Sequence, residues 1–445
     1  MKSVSIPLRS ALRRAVGCAV GCFFLFAAQL GTQLPGSVAH AAQAAQAPAF
    51  TPVAGTVMPM GGAVRFDNEA VRQRLVQLAG GAAARFVVIP SASSQPEKTG
   101  GDAAEQLRRR GAQAEVLKIA PTWAGETLDS ARRAAADPDN VARIRAATGV
   151  FFTGGAQART ADVLNPGGVA SPVLQAVRAL QARGGVIAGS SAGAAIMSST
   201  MFRDAPNPVL VMKGVLREGK EIDRGLGFAG EQLFIDQHFL KRGRVGRMLA
   251  LMLAKGYKVG LGVDEDTAAI IRGSEIEIVG ASGALLLDLR QATREAGPVN
   301  VRNVRISYLD QGDRYDLATS KGQVLAAKQA RGELRFREPG FVGELENTRP
   351  AFTDILGENT ILRALTQLVD GPRDHVRGIA FDLDQFPDAQ VADPAPDLGF
   401  EFMLRRDERT HGWDSEGLDN NSYSVFDARL DVRPVRMKTP VYQAW

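Results

Sequence analysis

Residues Gly184 to Ser198 read Gly-Gly-Val-Ile-Ala-Gly-Ser-Ser-Ala-Gly-Ala-Ala-Ile-Met-Ser, and no other stretch restricts the fold as much. The short run with Val and Ile suits a buried strand, Gly189 to Gly193 a tight turn, and the alanine-rich residues after it a helix. A strand that turns at once into a helix requires an α/β architecture. Gly189-Ser190-Ser191-Ala192-Gly193 fits Gly-x-Ser-x-Gly, in which small residues let strand and helix crowd together while the serine is lifted on a strained turn. In a chain with 47 glycines the five-residue match alone is weak; its strand and helix flanks make Ser191 the candidate nucleophile.

The pattern around this elbow alternates. Strands are expected at Val53 to Met60, Arg85 to Pro90, Ala114 to Ile119 and Thr148 to Thr153, with helical stretches at Asn68 to Leu78, Ala103 to Arg110, Ala142 to Ala147 and Ser171 to Arg183. Such alternation predicts a mainly parallel sheet covered on both faces, with chemistry gathered at the carboxyl ends of the strands. Four strand ends can converge there: Pro90 to Ser94, Thr153 to Gln157, Gly189 to Ser191, and Asp236 to His238. Val245 to Lys255 reads as a helix, and the short β-rich segments from Val259 to Val279 read as a mixed or antiparallel edge. Asn303 to Leu309 reads as a further strand. Residues 323–445 are charged and turn-rich, with one helix candidate at Asn359 to Val369, a turn at Asn420-Asn421 and an alternating run from Ser422 to Val432. They are expected to form a C-terminal extension or a small domain.

Lys2, Arg9, Arg13 and Arg14 precede the apolar run Cys22 to Leu30, and Val38-Ala39-His40-Ala41 offers small residues for cleavage. Residues 1–41 therefore read as a secretory signal peptide, and 42–52 as a flexible lead-in. Export to the periplasm or beyond the cell is expected. Both cysteines, Cys18 and Cys22, lie in the leader, so no disulfide is needed. The leader also holds four of the formal +5 charges, leaving about +1, which gives no case for nucleic-acid binding. No later segment reaches the roughly 18 apolar residues of a membrane span.

An activated serine needs a base and a third group that orients it. Outside the leader the histidines are His238, His375 and His411. His238 follows the strand-like Leu233-Phe234-Ile235-Asp236, whereas the other two lie in the turn-rich tail, which makes His238 the candidate base. For the orienting acid, Asp264-Glu265-Asp266 follows an apolar strand; Glu265 is favoured and Asp236 competes. Three adjacent carboxylates repel one another unless cations or hydrogen bonds offset them. The order Ser, His, acid differs from the Ser, acid, His order of α/β-hydrolases. The N–H groups of Ala192 and Gly155 are candidate oxyanion donors, although Gly154-Gly155 is equally readable as a plain βα turn.

The blocks Phe152-Thr153-Gly154-Gly155-Ala156-Gln157, Gly189-Ser190-Ser191-Ala192-Gly193-Ala194, Asp236-Gln237-His238-Phe239 followed by Arg242, Arg244 and Arg247, and Gly262-Val263-Asp264-Glu265-Asp266-Thr267-Ala268 together resemble the cyanophycinase family of serine peptidases, which includes peptidase E. The resemblance covers about residues 53–322 and implies a three-layer αβα sandwich like that of class I glutamine amidotransferases. It implies Ser191 as nucleophile, His238 as base and Glu265 as orienting acid, with Gln157, Asp236, Gln237, Arg242, Arg244 and Arg247 shaping the substrate pocket. Cyanophycin has a poly-aspartate backbone with arginine on each β-carboxylate. Asp236 and the acids of the 264–266 turn are therefore expected to take guanidinium groups, and the arginines to take carboxylates. Without the resemblance, Arg242, Arg244 and Arg247 read as a basic helix face. Ala156 stands where the family commonly has Asp, a departure that bears on substrate contacts. No metal or other cofactor is expected. The expected partner is a peptide or polymer substrate, with a homodimer left open.

Overall fold

The computed structural model describes residues 50–438 apart from 205, 344, 346–347, 383–392 and 415–422. The expected signal peptide with both cysteines, most of the lead-in and the Asn420-Asn421 turn lie outside the described residues.

Five strands form the parallel part of a first sheet: β1 (Val53–Met60), β2 (Arg85–Ile89), β3 (Gln113–Val116), β4 (Gly149–Phe152) and β5 (Val186–Ser190). The chain then starts a second sheet with β6 (Leu233–Asp236) and β7 (Val259–Val263). It returns to the first with β8 (Thr267–Gly273) and β9 (Glu275–Gly280), and crosses again to the second with β10 (Ala284–Asp288) and β11 (Val301–Leu309). β12 (Arg314–Asp316) and β13 (Lys321–Gln323) complete the first sheet, in the order β13-β12-β9-β8-β1-β5-β4-β2-β3. The pairings β1–β8, β8–β9, β9–β12 and β12–β13 are antiparallel, so β8 and β9 form the expected mixed edge, whereas Val259–Val263, expected to belong to it, lies in the second sheet as β7.

Helices cover both faces because successive strand residues are apolar in both directions. Met58, Val88 and Ala188 join one core with Val71, Leu75 and Val76 of α1 (Glu69–Leu78) and Leu107 of α2 (Pro96–Arg108). Their neighbours Val57, Val87 and Ile187 join the opposite core with Val173, Val177 and Leu180 of the helix Pro172–Ala182. Caps set two of these helices where the sequence places them: Asn68 accepts from the Val71 N–H, and Ser171 from the Leu174 N–H. α2 starts seven residues before the expected Ala103, since Pro96 at its first turn is a better start signal than Gly100-Gly101 is a breaker.

The C-terminal residues extend the second sheet with β14 (Ala351–Phe352), β15 (His375–Ala380), β16 (Leu398–Arg405) and β17 (Tyr423–Arg436), in the order β14-β15-β16-β17-β11-β10-β7-β6. β17 pairs with β11, so these C-terminal strands are an extension grown onto the same sheet. The expected helix there is Thr360–Val369, which packs Ile361, Ala364, Leu365 and Leu368 against Phe400, Phe402 and Leu430. Leu233, Ile235 and Leu261 of the second sheet share a core with Val57 and Ile187 of the first. His238 therefore leaves a strand of the second sheet, not a neighbour of the elbow strand in the first. Among the described residues no helix is long and apolar enough to cross a membrane.

Candidate active site

At the end of β5, Ser191 has φ 55° and ψ −112°, a strained backbone of the kind that costs about 1–3 kcal/mol and survives only where its surroundings fix it. They do so here: the Ser191 N–H donates to Met60 O at 3.0 Å, and the Ala194 and Ala195 N–H groups donate to Ser191 O at 2.8 and 3.0 Å. The glycines of the motif serve close approach. A Cβ on Gly189 would lie 2.4 Å from Gly193 O, and one on Gly193 would lie 2.3 Å from Phe152 O.

From Ser191 a relay runs to the turn between the two sheets. Its Oγ lies 2.8 Å from His238 Nε2, and His238 Nδ1 lies 2.5 Å from Glu265 Oε1. Since a carboxylate only accepts, Nδ1 carries the proton and Nε2 is left to accept from the serine hydroxyl. Burial holds the His238 pKa below its ordinary value; the Glu265 hydrogen bond opposes this, and the Arg242 charge adds to it. That shift favours the neutral imidazole.

The ring is held by groups that no sequence motif marks. His238 itself has φ 47°, with its N–H donating to Gly61 O at 2.8 Å. Gly62, at φ 108°, lies beneath the ring: a Cβ there would meet His238 Cε1 at 2.3 Å. In the sequence they show only as a double glycine, Gly61-Gly62, directly after β1.

In the acidic turn the three carboxylates are separated by their partners. Asp264 Oδ1 accepts from the Leu240 and Lys241 N–H groups at 3.2 and 3.1 Å, and its Oδ2 from Ser282 at 3.3 Å. Asp266 accepts from Asn68 Nδ2 at 2.8 Å and pairs with Arg65 at 2.7 Å. Glu265 alone of the three lies against His238, and Asp236 makes no contact with that ring.

Asp236 has another partner. Arg247 grips it with two bonds, Nε to Oδ2 at 2.8 Å and Nη2 to Oδ1 at 2.5 Å, both side chains being 2% exposed. The Arg247 guanidinium also stacks 4.4 Å from the Phe202 ring, and Gln157 Nε2 donates to Phe202 O at 2.8 Å. Arg244 is buried and donates to Gln237 O at 2.6 Å. The guanidinium-binding expected of Asp236 is thus taken by the protein's own Arg247, and the acids at 264 and 266 are likewise engaged internally. Asp236, Arg244 and Arg247 form one buried ion-paired group, with the Phe202 ring stacked on Arg247. Arg242 differs: it is exposed and makes no side-chain hydrogen bond or ion pair among the described residues. Gln237 is buried with its Oε1 unpartnered. Asp236→Asn should cost about 3–5 kcal/mol in denaturant unfolding by leaving the buried Arg247 cation without a neutralising carboxylate, and adding Arg247→Met should recover much of the loss.

Beside the elbow, a Cβ on Gly154 would lie 3.3 Å from Ser191 Cβ, and one on Gly155, at φ 139°, 2.0 Å from Ala92 O. The Ala156 N–H donates to that same Ala92 oxygen at 2.9 Å. The N–H groups of Gly155 and Ala192 have no hydrogen-bond partner among the described residues. Ala156 is the N-cap of the helix Gln157–Leu164 without a side-chain cap, the place where an acidic residue would supply one. The tail histidines lie apart, His375 paired with Asp374 and His411 with Glu333. Among the described residues no group of three or more His, Cys, Asp or Glu side chains is placed to hold a metal.

The sequence profile described as peptidase family S51 matches residues 59–279. Over 278 residues the chain is 31% identical to the cyanophycinase of Trichormus variabilis, an alignment covering 59% of this chain and 85% of the relative. The chain belongs to peptidase family S51. It is also 31% identical over 286 residues to the cyanophycinase of Synechococcus elongatus, covering 60% of this chain and 81% of that one. Among solved structures, a peptidase from an acI-B1 Actinobacterium is similar at 22% identity and TM-score 0.41, covering 54% of this chain and 92% of that one. This S51 protein is a serine-type peptidase, and residues beyond 279, including the whole C-terminal extension, lie outside the family profile.

Proposed function

We propose that this S51 peptidase is exported and hydrolyses cyanophycin or a closely similar aspartyl polymer, releasing β-aspartyl-arginine dipeptides through Ser191, His238 and Glu265. The observation that carries the catalytic part is the continuous relay from Ser191 Oγ through His238 to Glu265, at 2.8 and 2.5 Å. As Oγ attacks the scissile carbonyl carbon, its proton passes to His238 Nε2, and Glu265 stabilises the imidazolium so formed. The N–H groups of Ala192 and Gly155 are the donors available to the oxyanion. His238 then gives the proton to the leaving amine, and a water, deprotonated by the same imidazole, hydrolyses the acyl-enzyme.

Relatives named cyanophycinase support the polymer reading, as does Arg242, whose free guanidinium follows His238 closely and whose backbone N–H donates to His238 O at 3.0 Å. It suits a substrate with a carboxylate near the scissile bond. Incubated with cyanophycin, the protein should release dipeptide steadily. Cleavage of small aspartyl or isoaspartyl peptides with the polymer untouched would replace this reading by an exopeptidase. Peptide binding with neither activity, and no labelling by a fluorophosphonate, would make it a binding relative. Export rests on the leader-like residues 1–41, and cell fractionation tests it.

A further inference from the structure

The turn formed by residues 354–359 of the C-terminal extension lies directly against the loop that carries His238. The Asn359 N–H donates to Leu240 O at 3.0 Å, an oxygen that also accepts from Gly243 within the loop at 3.3 Å. The Leu356 carbonyl sits where a side chain at position 243 would be: a Cβ on Gly243, at φ 57°, would come 1.5 Å from it. Glu358 pairs with Lys241 across the same junction. On its other side the loop is held by Asp264, which accepts from the Leu240 and Lys241 N–H groups. The turn is itself anchored in the extension's sheet, the Ile355 N–H donating to Ile379 O at 3.0 Å, and it leads into the helix Thr360–Val369.

From this arrangement we propose that the extension is a built-in brace of the active site, in which Asn359 and Leu356 are positioning residues that hold the His238 loop against Asp264. The inference rests on the reading of His238 as the base. The backbone of residues 238–244 is a short irregular turn with His238 and Gly243 both at positive φ, at 47° and 57°, so a wall on its outer side adds to the Gly61 and Asp264 bonds in setting where the imidazole stands. An imidazole displaced by an ångström loses its line to Ser191 Oγ, and misplacement of that size costs up to about a hundredfold in rate.

The test uses the full chain. Asn359 has φ 54°, which proline cannot adopt, and proline also removes the N–H that reaches Leu240; glycine keeps both the conformation and the donor. Asn359→Pro should slow labelling of Ser191 by a fluorophosphonate about tenfold to a hundredfold, with the loss in kcat and not in KM, while Asn359→Gly stays within about twofold of the parent. Should the proline variant not fold, Leu356→Ala, which keeps the carbonyl but removes the side-chain methyls that lie against Gly246 just after the loop, should give a smaller loss in the same direction. As a control for general loosening of the extension, Glu401→Lys breaks the pair with Arg433 on β16 and β17 and should label like the parent. NMR titration of His238 supplies a readout independent of catalysis: its pKa, set by burial, Glu265, Arg242 and Arg244, should move in Asn359→Pro and stay in Asn359→Gly. Parental labelling with an unmoved titration in Asn359→Pro, or an equal loss in Glu401→Lys, overturns the brace. If the parent itself is not labelled, the nucleophile reading fails, and the titration alone decides the brace.

Discussion

Ser191→Ala is expected to lower kcat on any substrate of this enzyme by about 10⁴-fold or more, leaving only what the oxyanion donors and binding supply. The substitution is clean because of how the elbow is built. Ser191 is the N-cap of the short helix Ala192–Ala195 but makes no side-chain cap bond, so alanine removes no helix contact. The strain at φ 55° is held by backbone hydrogen bonds from the Ser191 N–H and to its carbonyl, which alanine keeps. What disappears is the Oγ, 2.8 Å from His238. Thermal unfolding should therefore hardly change while turnover falls to that residual level and fluorophosphonate labelling vanishes. Turnover in the alanine variant near the parental rate would remove Ser191 from the chemistry and force a search for another nucleophile.

How far these features could be read beforehand depended on whether they were local. The elbow was legible because its strand, its glycines and its helix are contiguous, and each glycine has a steric task that sequence pattern reports. The first sheet's parallel strands and helices were legible by periodicity. The strands β15 and β16 were not, since they sit among charged and turn-rich residues that carry no clean alternation, although β15 pairs with β16 and β16 with β17. The same limit applied at the site. Glu265 could be favoured but not separated from Asp236, because the choice depends on Arg247 occupying Asp236, a contact between a strand end and a helix. The guanidinium that Asp236 binds here is the chain's own Arg247, whereas the resemblance implied a guanidinium of the substrate. Gly62 was missed because its task involves a ring 176 residues away in the chain, His238.

Glu265→Gln is the second change with a large expected effect, about 10³-fold in kcat, somewhat below the roughly 10⁴-fold of an acid-to-amide change in a fully buried serine triad. Glu265 is 28% exposed at its side chain, so water can replace part of its interaction with the imidazolium. The amide fails in two ways: it carries no charge to stabilise the imidazolium, and its NH₂ can donate to Nδ1, which moves the ring proton to Nε2, where it blocks acceptance from Ser191. Asp264 cannot substitute, being held by the Leu240 and Lys241 N–H groups and Ser282. The pH profile separates this from mere loosening. In the parent, kcat/KM should rise with pH as His238 loses its proton, with a midpoint below the ordinary histidine value of about 6.5, since burial lowers it by more than Glu265 restores. Removing the carboxylate removes a contribution that raises that pKa, so the acid limb should move to still lower pH while the plateau falls. Glu265→Asp keeps the charge on a shorter arm and should recover part of the plateau. A loss confined to KM, or a fallen plateau with the limb unmoved, would place Glu265 outside the relay and leave His238 to act as an unassisted base.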